Sequence, residues 1–169
     1  IDYRFSDGNR YNGPRIGGKD VLANFGINIQ TSAVSGRPYT AERQPNRFGG
    51  SGNLGSINGN RLPWRFNIDL RVDKSFNLSA ANKAPLNLNV YLRVSNLLGR
   101  KNIINVYSAS GSPTDDGYLA TAEGSSIANG VAGTGRSTDA YLASYSWVVR
   151  NFNNFTLPRR IYVGAVFEF

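Results

Sequence analysis

The sequence predicts an all-β fold, an antiparallel transmembrane β-barrel segment of about five strands with long extracellular loops, and three observations predict it. Apolar and polar residues alternate with a period of two at five places in the 169 residues, as strands do when one face meets lipid and the other water. The links between those places are alternately short and long, as in barrels with short inner turns and long outer loops. No run approaches the roughly 18 consecutive apolar residues of a spanning helix, and a barrel strand needs none.

The first strand covers residues 1–5, where Ile1, Tyr3 and Phe5 alternate with Asp2 and Arg4. It opens on Ile and not on Met, so residues 1–169 are read as the C-terminal part of one larger barrel domain, cut within a strand. A short link at 6–20 leads to a second strand, 21–32, with Val21, Ala23, Phe25, Ile27 and Ile29 on one side and Asn24, Gly26, Asn28 and Gln30 on the other; Leu22 breaks the pattern. The long link at 35–62 contains Gly50-Ser51-Gly52-Asn53-Leu54-Gly55. That string fits the letter of a dinucleotide fingerprint but has neither the preceding strand nor the following helix, and is read as a loop.

The third strand, 64–78, is the most informative. Trp64, Phe66, Ile68, Leu70, Val72 and Phe76 form its lipid-facing side, and Asn67, Asp69, Arg71 and Asp73 its lumen-facing side. Lys74 falls on the apolar side, where it is expected to snorkel toward headgroups. Between Trp64 and Phe76, twelve steps of about 3.3 Å tilted by about 45° give roughly 28 Å of height, the separation of two interfacial aromatic girdles. After a short link at 79–85, the fourth strand, 86–95, turns Asn89, Tyr91 and Arg93 to the lumen and Leu88, Val90 and Leu92 to lipid.

The longest link, 96–159, holds Tyr141, Leu142, Tyr145, Val148, Val149 and Phe152 at helical spacing behind the candidate N-caps Ser137 and Thr138. A short amphipathic helix packed on the barrel mouth is expected there. The last strand, 160–169, alternates Ile161, Val163, Ala165, Phe167 and Phe169 with Arg160, Tyr162, Gly164, Val166 and Glu168. Counting strands back from the end puts both chain termini on the periplasmic side.

Composition excludes several chemistries. Cys and His are absent, which removes thiolate and imidazole metal sites, disulfides, and cysteine or Ser-His-Asp catalysis. Asp69 and Asp73 are the only carboxylates paired on one strand face, with no apolar pocket to raise a pKa, so no enzyme and no cofactor is expected. The net charge of +8 is scattered, without a Lys/Arg block, so nucleic acid is not an expected partner. Arg37, Arg43, Arg47, Arg61, Arg100, Lys101, Arg159 and Arg160 fall in or near the outer loops, where lipopolysaccharide phosphates are candidate contacts. The lumen charges are expected to guide a solute, to contact a plug, or to neutralise one another as a ladder between neighbouring strands. Asp115 and Asp116 are a weak calcium candidate, but Ser112-Pro113-Thr114-Asp115-Asp116-Gly117 reads better as a turn.

Several stretches resemble TonB-dependent outer-membrane receptors of the Bacteroidota. They are Leu62-Pro63-Trp64-Arg65-Phe66-Asn67-Ile68-Asp69-Leu70-Arg71-Val72-Asp73-Lys74-Ser75-Phe76, Asn89 to Leu98 with Asn102 to Tyr107, Ser35-Gly36-Arg37-Pro38-Tyr39-Thr40, and Asp115-Asp116-Gly117-Tyr118. The end, Leu157-Pro158-Arg159-Arg160-Ile161 to Phe167-Glu168-Phe169, is similar to the terminal strand of the Oar-like and SusC-like members.

The resemblance implies a barrel of about twenty-two strands around a plug domain, and import of a solute driven by the TonB complex through an N-terminal segment outside this sequence. It also implies that Ile161, Val163, Phe167 and Phe169 form the assembly signal read by the barrel-assembly machinery. Its implied partners are the rest of the barrel and plug, outer-membrane lipid, and a surface lipoprotein as a further candidate. Two alternatives stay open: an accessory barrel subunit of a secretion or assembly complex, and a soluble carbohydrate-binding β-sandwich.

Overall fold

The computed structural model describes residues 1–45, 52–78 and 86–169. In chain order the strands are β1 (Asp2–Arg4), β2 (Arg15–Ile16), β3 (Lys19–Asp20), β4 (Phe25–Val34), β5 (Pro38–Tyr39), β6 (Asn60–Arg61), β7 (Arg65–Asn77), β8 (Asn87–Ser95) and β9 (Arg160–Glu168). Two helices, α1 (Ala122–Gly133) and α2 (Thr138–Val149), lie between β8 and β9. No described helix is long and apolar enough to cross a membrane. The chain divides into two compact units, one of Ile1–Ser32, Phe66–Arg100 and Leu157–Phe169, the other of Ala33–Arg65 and Lys101–Thr156.

The first unit is built on a five-stranded antiparallel meander in the order β1-β4-β7-β8-β9. The described residues form an open sheet and no closed barrel. Its register joins like to like. Tyr3 pairs with Ile27; Leu70, Val72 and Phe76 pair with Val94, Leu92 and Leu88; these in turn pair with Ile161, Val163 and Phe167. Because directly opposed residues share a face, these pairings gather apolar side chains on one side and polar ones on the other, with Lys74 opposite Val90 and Val166 opposite Asn89 as exceptions.

Four of the expected strands hold to within a residue or two, but the second begins four residues late. Asn24 is left-handed, with φ +56, and residues 21–24 form a turn, its Ala23 and Phe25 amides donating to the Asp20 and Leu22 carbonyls at 3.1 Å. Val21 and Ala23 therefore lie outside the sheet. That turn also accounts for Lys74, whose ammonium donates to the Val21 and Ala23 carbonyls at 3.0 and 2.5 Å instead of extending away from the strand.

The link at 6–20 is more structured than its length suggests. It holds a 3-10 turn, Gly8–Arg10, and the β2–β3 hairpin, whose Gly17-Gly18 loop has φ +57 and +72. Both central residues need positive φ to follow the twist of a two-residue hairpin. The link at 79–85 lies outside the described residues.

In the second unit β5 pairs with β6, Pro38 opposite Arg61. Gly36 is required beside them, because a Cβ there would sit 1.6 Å from the Leu62 carbonyl oxygen. Thr121 caps α1 by accepting from the Gly124 amide at 3.0 Å, and Ser137 caps α2 by accepting from Ala140 at 3.3 Å. The α2 helix falls where expected, on a narrower stripe: Tyr145 and Val149 are buried with Tyr118, and Leu119 and Tyr141 pack against them. Val148 and Phe152, also expected on the stripe, are each 74% exposed. The α1 helix was not anticipated, since its Ala, Gly and Ser residues carry no apolar period.

Candidate functional site

The polar face of the sheet holds a connected set of charged side chains, centred on Asp73. Its carboxylate is 2% exposed, which is sustainable for an ionised group only when its oxygens are bonded. Arg4 supplies a two-point fork, Nη1 to Oδ2 at 3.1 Å and Nη2 to Oδ1 at 3.3 Å. Arg71 Nε lies 3.6 Å away, and the Asn89 side-chain amide donates at 3.4 Å while also donating to Ser75 Oγ at 2.9 Å.

Arg4 is on β1 and Asp73 on β7, so the pair crosses the whole width of β4. Gly26 makes that crossing fit. It stands opposite Arg4, and a Cβ at Gly26 would come within 3.1 Å of the Arg4 guanidinium. Tyr91 uses the same device on the other side, its ring lying where a Cβ on Gly164 would be, 2.5 Å from the hydroxyl. The Arg71 guanidinium in turn lies over the Tyr91 ring, 4.8 Å from its centre.

Asp69 serves the strand end. Its Oδ1 accepts from the Asn67 side chain at 2.9 Å and from the Asn96 amide at 2.8 Å. Asn96, left-handed at φ +54, bonds Arg100 through both its carbonyl and its amide and also donates to the Leu157 carbonyl at 3.2 Å. One asparagine thus ties the end of β8 to the approach of β9.

The seven polar candidates, Asn67, Asp69, Arg71, Asp73, Asn89, Tyr91 and Arg93, therefore share one face. The neutralising ladder between neighbouring strands is not what connects them: the main ion pair skips a strand, and Arg71 stands opposite Arg93. Arg4 and Gly26 were missing from the sequence candidates. Each was visible as polar or small within an alternating run, but their opposition depends on the register set by residues 5–24.

No family model, curated protein or solved structure matches the chain.

On the other face, Phe66, Ile68, Leu70, Val72 and Phe76 alternate along β7, with Trp64 just ahead of the strand. The residues expected as an assembly signal continue this face on β9: Ile161, Val163 and Phe167 are 63%, 76% and 58% exposed, and Phe169 follows the strand. Among the described residues of this first unit only Tyr11 and Val94 are buried apolar side chains.

Asp115 and Asp116 are committed to their turn. Asp115 Oδ1 accepts from the Gly117 amide at 2.9 Å; Asp116 accepts from the Tyr118 amide at 3.0 Å and from the Tyr145 hydroxyl at 2.9 and 2.7 Å. Among the described residues no three acidic side chains gather as a metal site. Asp116 also borders a cavity of about 210 Å³ with Glu42, Tyr107 and Val149. Of the glycine-rich string, Gly50 and Ser51 lie outside the described residues, as does Arg47; Asn53 bridges to Glu42 as an extended loop.

Proposed function

We propose that the sheet is part of the wall of an outer-membrane β-barrel, its apolar face against lipid and its polar face along an aqueous lumen, in a TonB-dependent transporter that imports a solute. The observation that carries the reading is the sidedness of the register, mostly apolar opposite apolar in the β1–β4, β7–β8 and β8–β9 pairings, on a face over which the described residues of this unit lay no second layer. In a water-soluble sheet that face is buried under a second layer, and contiguous exposed apolar area on this scale marks a surface that meets lipid or another protein.

Dimensions support lipid. Phe66 and Phe76 are both exposed on the apolar face, and ten steps of about 3.3 Å tilted by about 45° separate them by roughly 23 Å, close to the apolar band of such barrels. The buried Asp73 network supports the lumen assignment, because charged groups held among polar neighbours suit a water-lined interior and are costly against hydrocarbon. Transport itself rests on the resemblance of the Trp64-to-Phe76 and Asn89-to-Leu98 stretches to TonB-dependent receptors.

The test uses the complete protein in bilayers. Ile68→Arg is expected to cost about 2–4 kcal/mol of folding free energy, and Asn67→Arg much less. Equal tolerance at the two positions rejects the wall assignment. Transport is tested apart from it: a complete protein that lacks a plug and a TonB-contacting segment and that co-purifies with secretion components is an accessory barrel instead.

A further inference from the structure

The register places Arg71 of β7 directly opposite Arg93 of β8, and Arg93 opposite Tyr162 of β9. Side chains so placed have Cβ atoms about 4.5–5.5 Å apart, a spacing at which like charges repel. The nearby carboxylates relieve it only in part, through a long Arg71–Asp73 ion pair. Asp73 lies 3.6 Å from Arg71 but gives its shorter contacts, 3.1 and 3.3 Å, to Arg4. Asp69 Oδ1 is taken by two amide donors. Arg93 is exposed and makes no ion pair among the described residues, and residues 46–51 and 79–85 contain no Asp or Glu.

The surrounding rings orient these cations. The Arg71 guanidinium carbon lies over the Tyr91 ring, 4.8 Å from its centre, and that of Arg160 over the Tyr162 ring, 5.8 Å from its centre. A guanidinium stacked through its face presents its N–H edge in the plane, the geometry that grips a carboxylate or phosphate at two points.

We infer that Arg71 and Arg93, flanked by Tyr91, Tyr162 and Arg160, form an oxyanion site on the polar face that takes the carboxylate or phosphate group of a diffusible solute. The site deepens the transport reading and rests on this face bordering water. An anion there relieves the Arg71–Arg93 repulsion and leaves the Arg4–Asp73 pair intact.

The test is calorimetric titration of the complete protein in detergent with inorganic phosphate and, separately, citrate, at low salt. Arg93→Gln is expected to weaken binding about tenfold, the equivalent of one charge-assisted contact. Arg93→Lys, which keeps the charge but not the fork, should lose less for phosphate than for citrate. Arg10→Gln, on the 3-10 turn, should bind as the parent does. Absence of binding by the parent protein overturns the site, as a carboxylate from elsewhere in the same protein would produce; so does an equal loss in Arg10→Gln and Arg93→Gln. If titration fails while Ile68→Arg remains costlier than Asn67→Arg, the site falls and the barrel stands. If those two substitutions are tolerated alike, the barrel falls, and the titration still decides whether the arginines hold an anion.

Discussion

At the scale of single residues, two small side chains carry more of the architecture than the long ones that drew attention in the sequence. Gly26 lets Arg4 lie across β4 to reach Asp73. Gly26→Leu is expected to lift Arg4 off the carboxylate and cost about 1–3 kcal/mol, the cost of leaving a buried acceptor short of a donor; Gly26→Ala should cost less, because the guanidinium end can shift by tenths of an ångström. Denaturant unfolding of the two variants checks the order. Asn96 combines a left-handed backbone with three polar contacts through its side chain. Asn96→Ala loses both features and Asn96→Gly only the contacts, so Ala should be the worse of the two, with a loss of about 2 kcal/mol or more. Neither role is legible from sequence. Arg4, Gly26 and Asp73 are far apart in the chain, and only the β1–β4 register makes them neighbours, whereas the alternation of Asn67, Asp69, Arg71 and Asp73 within one strand could be read directly.

At the scale of elements, legibility followed periodicity. The strands β7, β8 and β9 were recognisable because one face is apolar but for Lys74, which fixes both existence and sidedness. The start of β4 was not, since Val21 and Ala23 continue the alternation into a turn that Asn24 sets by its positive φ. For α2 the spacing of Tyr141, Tyr145 and Val149 was informative, while α1 depends on capping: Thr121 accepts from Gly124 and donates to the Tyr118 carbonyl at 2.7 Å. Thr121→Ala should therefore destabilise α1 by about 1–2 kcal/mol, measurable as faster amide exchange confined to Ala122–Gly133. Tyr145→Phe removes the hydroxyl that donates to Asp116 and should speed proteolysis between Asp116 and Arg150. Trp147→Ala, at a side chain 66% exposed, should leave the rate unchanged within the small range typical of surface changes.

At the scale of the whole molecule, what matters is the medium on each face of the sheet, and the chain offers a clean way to ask. It contains no cysteine, so a single introduced thiol reports its own surroundings without background. Along β8, Leu88 and Leu92 pair with apolar residues on both neighbours, Val90 stands between Ala165 and Lys74, and Asn89, Tyr91 and Arg93 pair mostly with polar ones. In a bilayer, cysteine at 88, 90 and 92 should resist a water-soluble maleimide yet react with a lipid-dissolved one, while cysteine at 89, 91 and 93 should behave the opposite way. A second protein layer over the apolar face, as in a β-sandwich, would leave 88, 90 and 92 unreactive to both reagents. The same alternation in every described strand of the sheet would then follow from the register alone, because a slip of one residue in any pairing exchanges the two faces of that strand. A strand whose pattern is inverted relative to its neighbour therefore contradicts the sheet itself, whatever medium surrounds it.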